Sequence, residues 1–417
     1  SIHPSLTRIN QQGFLNLTDI SAKKSCAKSA NINIKGCDYM AQTILNEVRK
    51  LRNEDVFDIN SNNTNRYSLI VNEKNHTFTA YCFGCPIYNY ESKKIIDRVF
   101  EQSQNGFVLK GGNSNIFIGR DGIKGERYNG KSFFVKLSCG NLLYENTYIK
   151  AGKLIIQPTL NGVSLRIPIE NLPFNFNLRT DEYNYHTRYN TKYFALMEEK
   201  FVPFVVVSAI GESDERHKIS APAIISCKSV VPNTTAISIN STENKGQYVL
   251  LEINMYEPKL FQDTTVETGH LLENNAFGTV GFIGKSISFG EQWLYIRPDI
   301  TKLSFLHGKH INSVKLLLPV LNSNRNKLEM YRTAHRFCSF GSTWDNKVFA
   351  SNKVCEGVSL GNFEEFDITH VLSDSRTNFM IRTDGLIVRT KSKTETFTTI
   401  ATGDSLFSPP ILKINFA

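Results

Sequence analysis

From Arg66 onward the chain is built of short apolar or alternating runs broken by Asn, Gly and Pro, a period of two that predicts strands. Residues 67–71 and 77–83 flank the turn Asn72-Glu73-Lys74-Asn75. Asn105-Gly106 precedes Phe107-Val108-Leu109, and Lys110-Gly111-Gly112-Asn113 leads into Ile116-Phe117-Ile118; together these predict an antiparallel meander. Residues 154–156 and 163–167 are joined across Asn161-Gly162, the strongest hairpin signal in the chain. Further strands are expected at 201–208, 223–227, 236–239 and 248–253, and in the last third at 293–296, 313–319, 327–331, 363–368, 378–382 and 411–416. Regular helices between the strands are missing from the pattern, which argues for sandwich layers over a parallel sheet with crossover helices.

A helical period occurs in the first 60 residues, where Asp38 can cap a helix with apolar positions Met40, Ile44, Leu45, Val48 and Leu51 and a polar side of Glu47, Arg49, Lys50 and Arg52. Packing against a sheet is the expected role of this helix, and docking onto a larger assembly the alternative. The pattern thus predicts a mainly β protein: at least two antiparallel β-sandwich modules with a short helical N-terminal arm. The expected divisions are an arm over 1–60, a β-rich module over 61–255 and a second sandwich over 256–417, with the boundary at Met255-Tyr256-Glu257-Pro258.

Composition supports strands: 28 Phe and 16 Tyr stand against 2 Trp and 5 Met in 417 residues. Runs of roughly 20 apolar residues, the length that crosses a bilayer as a helix, are missing, so a membrane-spanning helix is not expected. Ser1 to Ser21 lacks the basic start, apolar middle and small-residue cleavage site of a signal peptide; the expectation is a processed chain, or one released by lysis or a dedicated machine. The net charge of +9 is spread over short clusters such as Arg49-Lys50-Leu51-Arg52 and Arg389-Thr390-Lys391-Ser392-Lys393. These lack interleaved stacking aromatics, so nucleic acid is not an expected partner. The eight Cys are scattered rather than paired by spacing. The suggestive pair, Cys82-Phe83-Gly84-Cys85, lies on a strand without further ligands at zinc spacing, so buried thiols are expected.

Six segments of the last third, in order, resemble the disaggregatase-related repeat (DNRLRE) family. They are Gln262-Asp263-Thr264-Thr265-Val266 with Asn274-Asn275-Ala276-Phe277-Gly278-Thr279; Leu294-Tyr295-Ile296-Arg297; Ile311 to Leu318; Tyr331-Arg332-Thr333 with Ser342-Thr343-Trp344-Asp345-Asn346; Phe366 to Leu372; and Pro410 to Ile414. The chain departs from the family pattern at Arg297-Pro298-Asp299. The resemblance implies a β-sandwich that serves exported, wall-associated and Rhs-like proteins as a non-catalytic, carbohydrate-binding module. The central segment, from Thr77 through Tyr128 to Val135, more faintly resembles the meander preceding such modules.

Motifs for catalysis are weak. Gly357-Val358-Ser359-Leu360-Gly361 fits a nucleophile elbow, but that motif needs a following helix and the residues after it read as a strand. His307 and His310 stand in a Gly- and Lys-containing turn at poor metal spacing. The acidic doublets Glu198-Glu199, Asp214-Glu215 and Glu364-Glu365 read as surface charges, since adjacent strand residues face opposite ways; acids assembled across distant strands would leave no local motif. Asp121-Gly122 and Asp384-Gly385 read as turns; no cofactor is expected, and calcium, held by loop oxygens, is the alternative.

The functional expectation is therefore a non-catalytic structural or adhesive component of a bacterial cell surface, outside the cytoplasm, that binds a glycan or a structural protein. Tyr183, Tyr185 and Tyr189 are the candidate stacking residues. The alternatives are a phage tail, baseplate or contractile-particle component, attached through the arm, and a polysaccharide lyase or hydrolase.

Overall fold

The computed structural model describes residues 39–417 apart from 61–64, 89–93, 97, 111–113, 128–129, 146–147, 160–161, 181, 189–190, 197–202, 214–217, 232, 242–247, 257, 288, 324–325, 393–394 and 406–408. The fold is mainly β, with large antiparallel sheets and a short N-terminal helix.

The middle of the chain forms one unit. The predicted meander runs through Val99–Ser103, Gly106–Lys110, Ser114–Gly119, Gly122–Arg127 and Ser132–Lys136, each strand pairing with the next. The sheet continues through Phe174–Arg179, Thr234–Ser241, Lys218–Val231, Pro203–Ser213, Tyr248–Met255, Gly162–Pro168 and Leu154–Pro158. The hairpin expected around Asn161-Gly162 is present, with Pro158 opposite Val163 and Ile155 opposite Arg166. Alternate residues of these strands, among them Leu109, Ile116, Ile118, Val135, Leu165, Val207, Ile239 and Leu251, bury into a single core. Burial of that apolar surface is what holds the sheet together.

Sequence-distant segments build the second unit. Ser68–Asn72 pairs with Phe78–Phe83, which pairs with the final strand Ile411–Phe416, which in turn pairs with the first half of Ile311–Ser323. The hydrogen-bond ladder therefore does not follow the division drawn at 61–255 and 256–417. Residues 68–83 share a sheet with the C-terminal strands, and the meander unit is inserted between them. A local pattern specifies that a segment is a strand and which side is apolar, but not which strand lies beside it.

The second half of Ile311–Ser323 leaves this sheet to pair with Phe397–Ala401 in the facing one. Pro319, which has no N–H for the ladder, lies at the changeover between Leu317, opposite Ile411, and Val320, opposite Ile400. Between the layers Ile70, Ala80, Leu412, Ile414, Val314 and Leu316 meet Leu294, Ile296, Met330, Val388 and Ile400 in one apolar cluster. This is the sandwich packing expected of two sheets with one apolar face each.

The helix Tyr39–Arg52 covers the outer face of the first layer. Ile44 and Val48 are buried against Leu69, Val71, Tyr81, Phe83 and Ile411, as the three- and four-residue spacing predicts. Arg52 anchors its end, donating to Glu73 at 2.6 Å. The expected strand at 378–382 is not formed. Asn378 has a φ of 56° and Asp374 Oδ1 accepts from the backbone N–H groups of Arg376 and Thr377, so the segment is a turn closed by an acidic side chain. The strand lies instead at Leu386–Thr390.

Candidate binding platform on the outer sheet face

The outer layer of the sandwich runs Phe261–Glu267, Gly290–Pro298, Leu386–Thr390, Leu328–Thr333 and Ala350–Glu356. Alternation sends Leu294, Ile296, Val388, Leu328 and Met330 into the core and Val266, Trp293, Tyr295, Ile387, Arg389, Tyr331 and Glu329 to the opposite side. The connection between Thr333 and Ala350 folds over half of that side. Its Phe337 and Val348 pack on Tyr295 and Ile387, and the Tyr295 hydroxyl donates to the Val348 carbonyl at 2.5 Å. Asn346 shapes the connection, accepting from the Thr343 N–H at 2.8 Å and donating to the Gly341 carbonyl at 2.9 Å.

The other half carries a row of half-buried rings and cations. Trp293 and Trp344 meet edge to face with centroids 5.1 Å apart. Lys347 Nζ lies 4.1 Å from the Trp344 ring centre and 5.6 Å from that of Phe349, which is 67% exposed. The Arg389 guanidinium lies 4.0 Å from the Tyr331 ring and 5.5 Å from Trp293. Cations over ring faces are attracted by the ring quadrupole and hold the rings in place. The Trp293 indole N–H donates to Glu291 at 2.7 Å.

Beyond Tyr331 a charge network closes the row. Buried Glu329 accepts from Lys353 at 2.7 Å and from the Tyr331 hydroxyl at 2.8 Å, and Lys391 lies 3.0 Å away. Burial opposes its ionisation, but these hydrogen bonds outweigh burial and hold the Glu329 carboxyl down to about 2. Lys353 also bonds Glu356 at 2.7 Å.

A second cluster of ionisable groups is buried where the chain passes from the inserted unit to the sandwich. Glu252 is pushed up to about 7 by burial, against a hydrogen bond from Asn254 and the charge of Lys259. Burial also raises Asp404, to about 6, despite Lys259. Asp263 is also raised well above the usual carboxylate range, by burial and then by the Asp404 charge. Its Oδ2 accepts from the Gly403 N–H at 2.8 Å, while its Oδ1 has no hydrogen-bond partner. Asp263 and Glu252 are 2% and 5% exposed, which removes both from contact with a polymer substrate.

The residues singled out in the sequence are placed as follows. Tyr183 and Tyr185 stand on the strand Glu182–Arg188, opposite Ala195 and Tyr193; their side chains, and the whole of Tyr189, lie outside the described residues. Neither strand belongs to the platform. Ser359 sits on the exposed edge strand Val358–Leu360, which forms a hairpin with Phe363–Asp367, so the elbow-like pentapeptide is a strand–turn–strand. Glu364 and Glu365 diverge: Glu365 pairs with Lys315 at 2.6 Å, while burial raises Glu364. Glu198-Glu199 and Asp214-Glu215 lie outside the described residues. The His310 ring lies 5.2 Å from that of Phe379. Cys82 and Cys85 are buried free thiols. Gly122, at the start of the strand Gly122–Arg127, and Gly385, just before Leu386–Thr390, both have positive φ.

The platform was missed as a site because its members come from four stretches of sequence. The available signal was rarity: both Trp of the chain meet there. Neither a protein-family model nor a curated protein matches this chain.

Proposed function

We propose that this protein is a non-catalytic glycan-binding component of a cell surface, and that it binds through the outer face of the sandwich. The observation that carries the reading is the Trp293–Trp344 pair, held half-buried beside Tyr331 with exposed Phe349 nearby. Sugar rings present apolar C–H faces that stack on such aromatics, with polar edges satisfied by neighbouring donors. The resemblance of the last third to a family of exported modules agrees with it.

Because the chain's only tryptophans form the proposed site, intrinsic fluorescence reads binding directly. Titration with surface polysaccharide should shift the emission. Trp344→Ala should weaken binding by about tenfold, the scale of one aromatic anchor, while its urea midpoint shows that the fold persists. Binding with unchanged emission, or release of reducing ends from the polymer, would overturn the proposal.

A further inference from the structure

We infer that the ligand is an acidic glycan, a chain bearing uronate carboxylates, with Arg389 as the carboxylate receptor; this rests on the glycan-binding reading above. The argument is one of unpaired cations. Four cations line this face: Lys347, Arg389, Lys353 and Lys391. Lys353 and Lys391 are taken up by Glu329 and Glu356, while Glu291, which accepts from the Trp293 indole, forms no ion pair with either remaining cation. Lys347 donates to the Trp344 carbonyl at 3.0 Å, a neutral acceptor. Among the described residues neither Lys347 nor Arg389 has an ion pair, and the Arg389 guanidinium makes no hydrogen bond.

Geometry makes Arg389 the receptor. Its planar guanidinium fork is supported by the Tyr331 ring, whose centre lies 4.0 Å from the central guanidinium carbon. That fork matches a carboxylate bidentately, which a lysine ammonium does not. Trp293 lies 5.5 Å away, so a sugar ring stacked on the tryptophans places an attached carboxylate beside the fork. Lys347, 4.1 Å from the Trp344 ring and 5.8 Å from that of Trp293, supplies a second positive centre beside the Trp pair for the next acidic residue along a polymer. A neutral sugar would leave both cations without an ion pair.

The test is tryptophan-fluorescence titration with two matched pairs: oligogalacturonate against its methyl ester, and hyaluronan oligosaccharide against its carboxyl-reduced form. The acidic member should bind at least about tenfold more tightly, the worth of one charge-assisted bidentate contact. Arg389→Gln should erase that preference, read as the ratio of affinities within each pair, and Arg389→Lys should restore it only in part. Equal binding of acidic and neutral members would overturn the acidic inference and leave the glycan reading standing. Silence with both pairs would overturn the two together. An acidic preference that survives in Arg389→Gln would overturn the assignment of the receptor.

Discussion

Glu252→Gln tests the electrostatics of the buried junction. The Glu252 carboxyl releases its proton near pH 7 in the fold, against 4.5 in its ordinary state. A raised carboxyl favours the folded state fully while both states are protonated. That advantage is lost as pH rises from about 4.5 through about 7, because the unfolded chain ionises first. The difference corresponds to about 3 kcal/mol over that window. Glutamine keeps an acceptor for the Asn254 side chain, which lies 3.3 Å from Glu252 Oε2, and cannot ionise. Urea unfolding at pH 5, 6, 7 and 8 should therefore show wild type and variant close together at pH 5 and diverging as pH rises. The variant should be more stable by about 3 kcal/mol at pH 8, within the twofold spread of such contributions. Asp263 and Asp404 remain in both proteins, so the pH dependence they impose largely cancels in the comparison. A constant offset across the whole range would refute the reasoning, since it would mean that Glu252 titrates alike folded and unfolded.

Three further outcomes follow from particular contacts. Val48→Ala, which removes two methyl groups from a fully buried position under the helix, should cost about 2 kcal/mol by urea denaturation; a change near zero would mean that the helix does not pack there. Gly122→Ala should destabilise by at least about 2 kcal/mol, because Gly122 has a φ of 144° and an added Cβ would stand 1.9 Å from the Val135 carbonyl oxygen. Unchanged thermal unfolding would contradict it. Alkylation of the native protein followed by peptide mapping should modify exposed Cys338 well before Cys82, whose thiol is buried and pushed up by that burial; equal rates would show that the sandwich opens readily.

The middle of the chain was the more legible part. Its strands pair mostly with near neighbours, as in Gly106–Lys110 with Ser114–Gly119, so an alternating run and a turn suffice to specify the ladder. The helix was legible for a related reason: its apolar spacing is internal to the segment. Where local chemistry competed with the pattern, the reading failed, as at 378–382, where the Asp374 side chain and the positive φ of Asn378 close a turn.

The sequence by itself determined that this is an antiparallel β protein with one amphipathic helix, because strand and helix periods are properties of contiguous residues. Only the tertiary structure decided that the strand Phe78–Phe83 lies beside Ile411–Phe416, so that one unit is inserted in another. It alone brought Trp293, Tyr331, Trp344 and Arg389 onto one face. Pairing between distant strands is chosen by which apolar faces fill a common core, a collective property of the folded chain to which no local run of residues gives access.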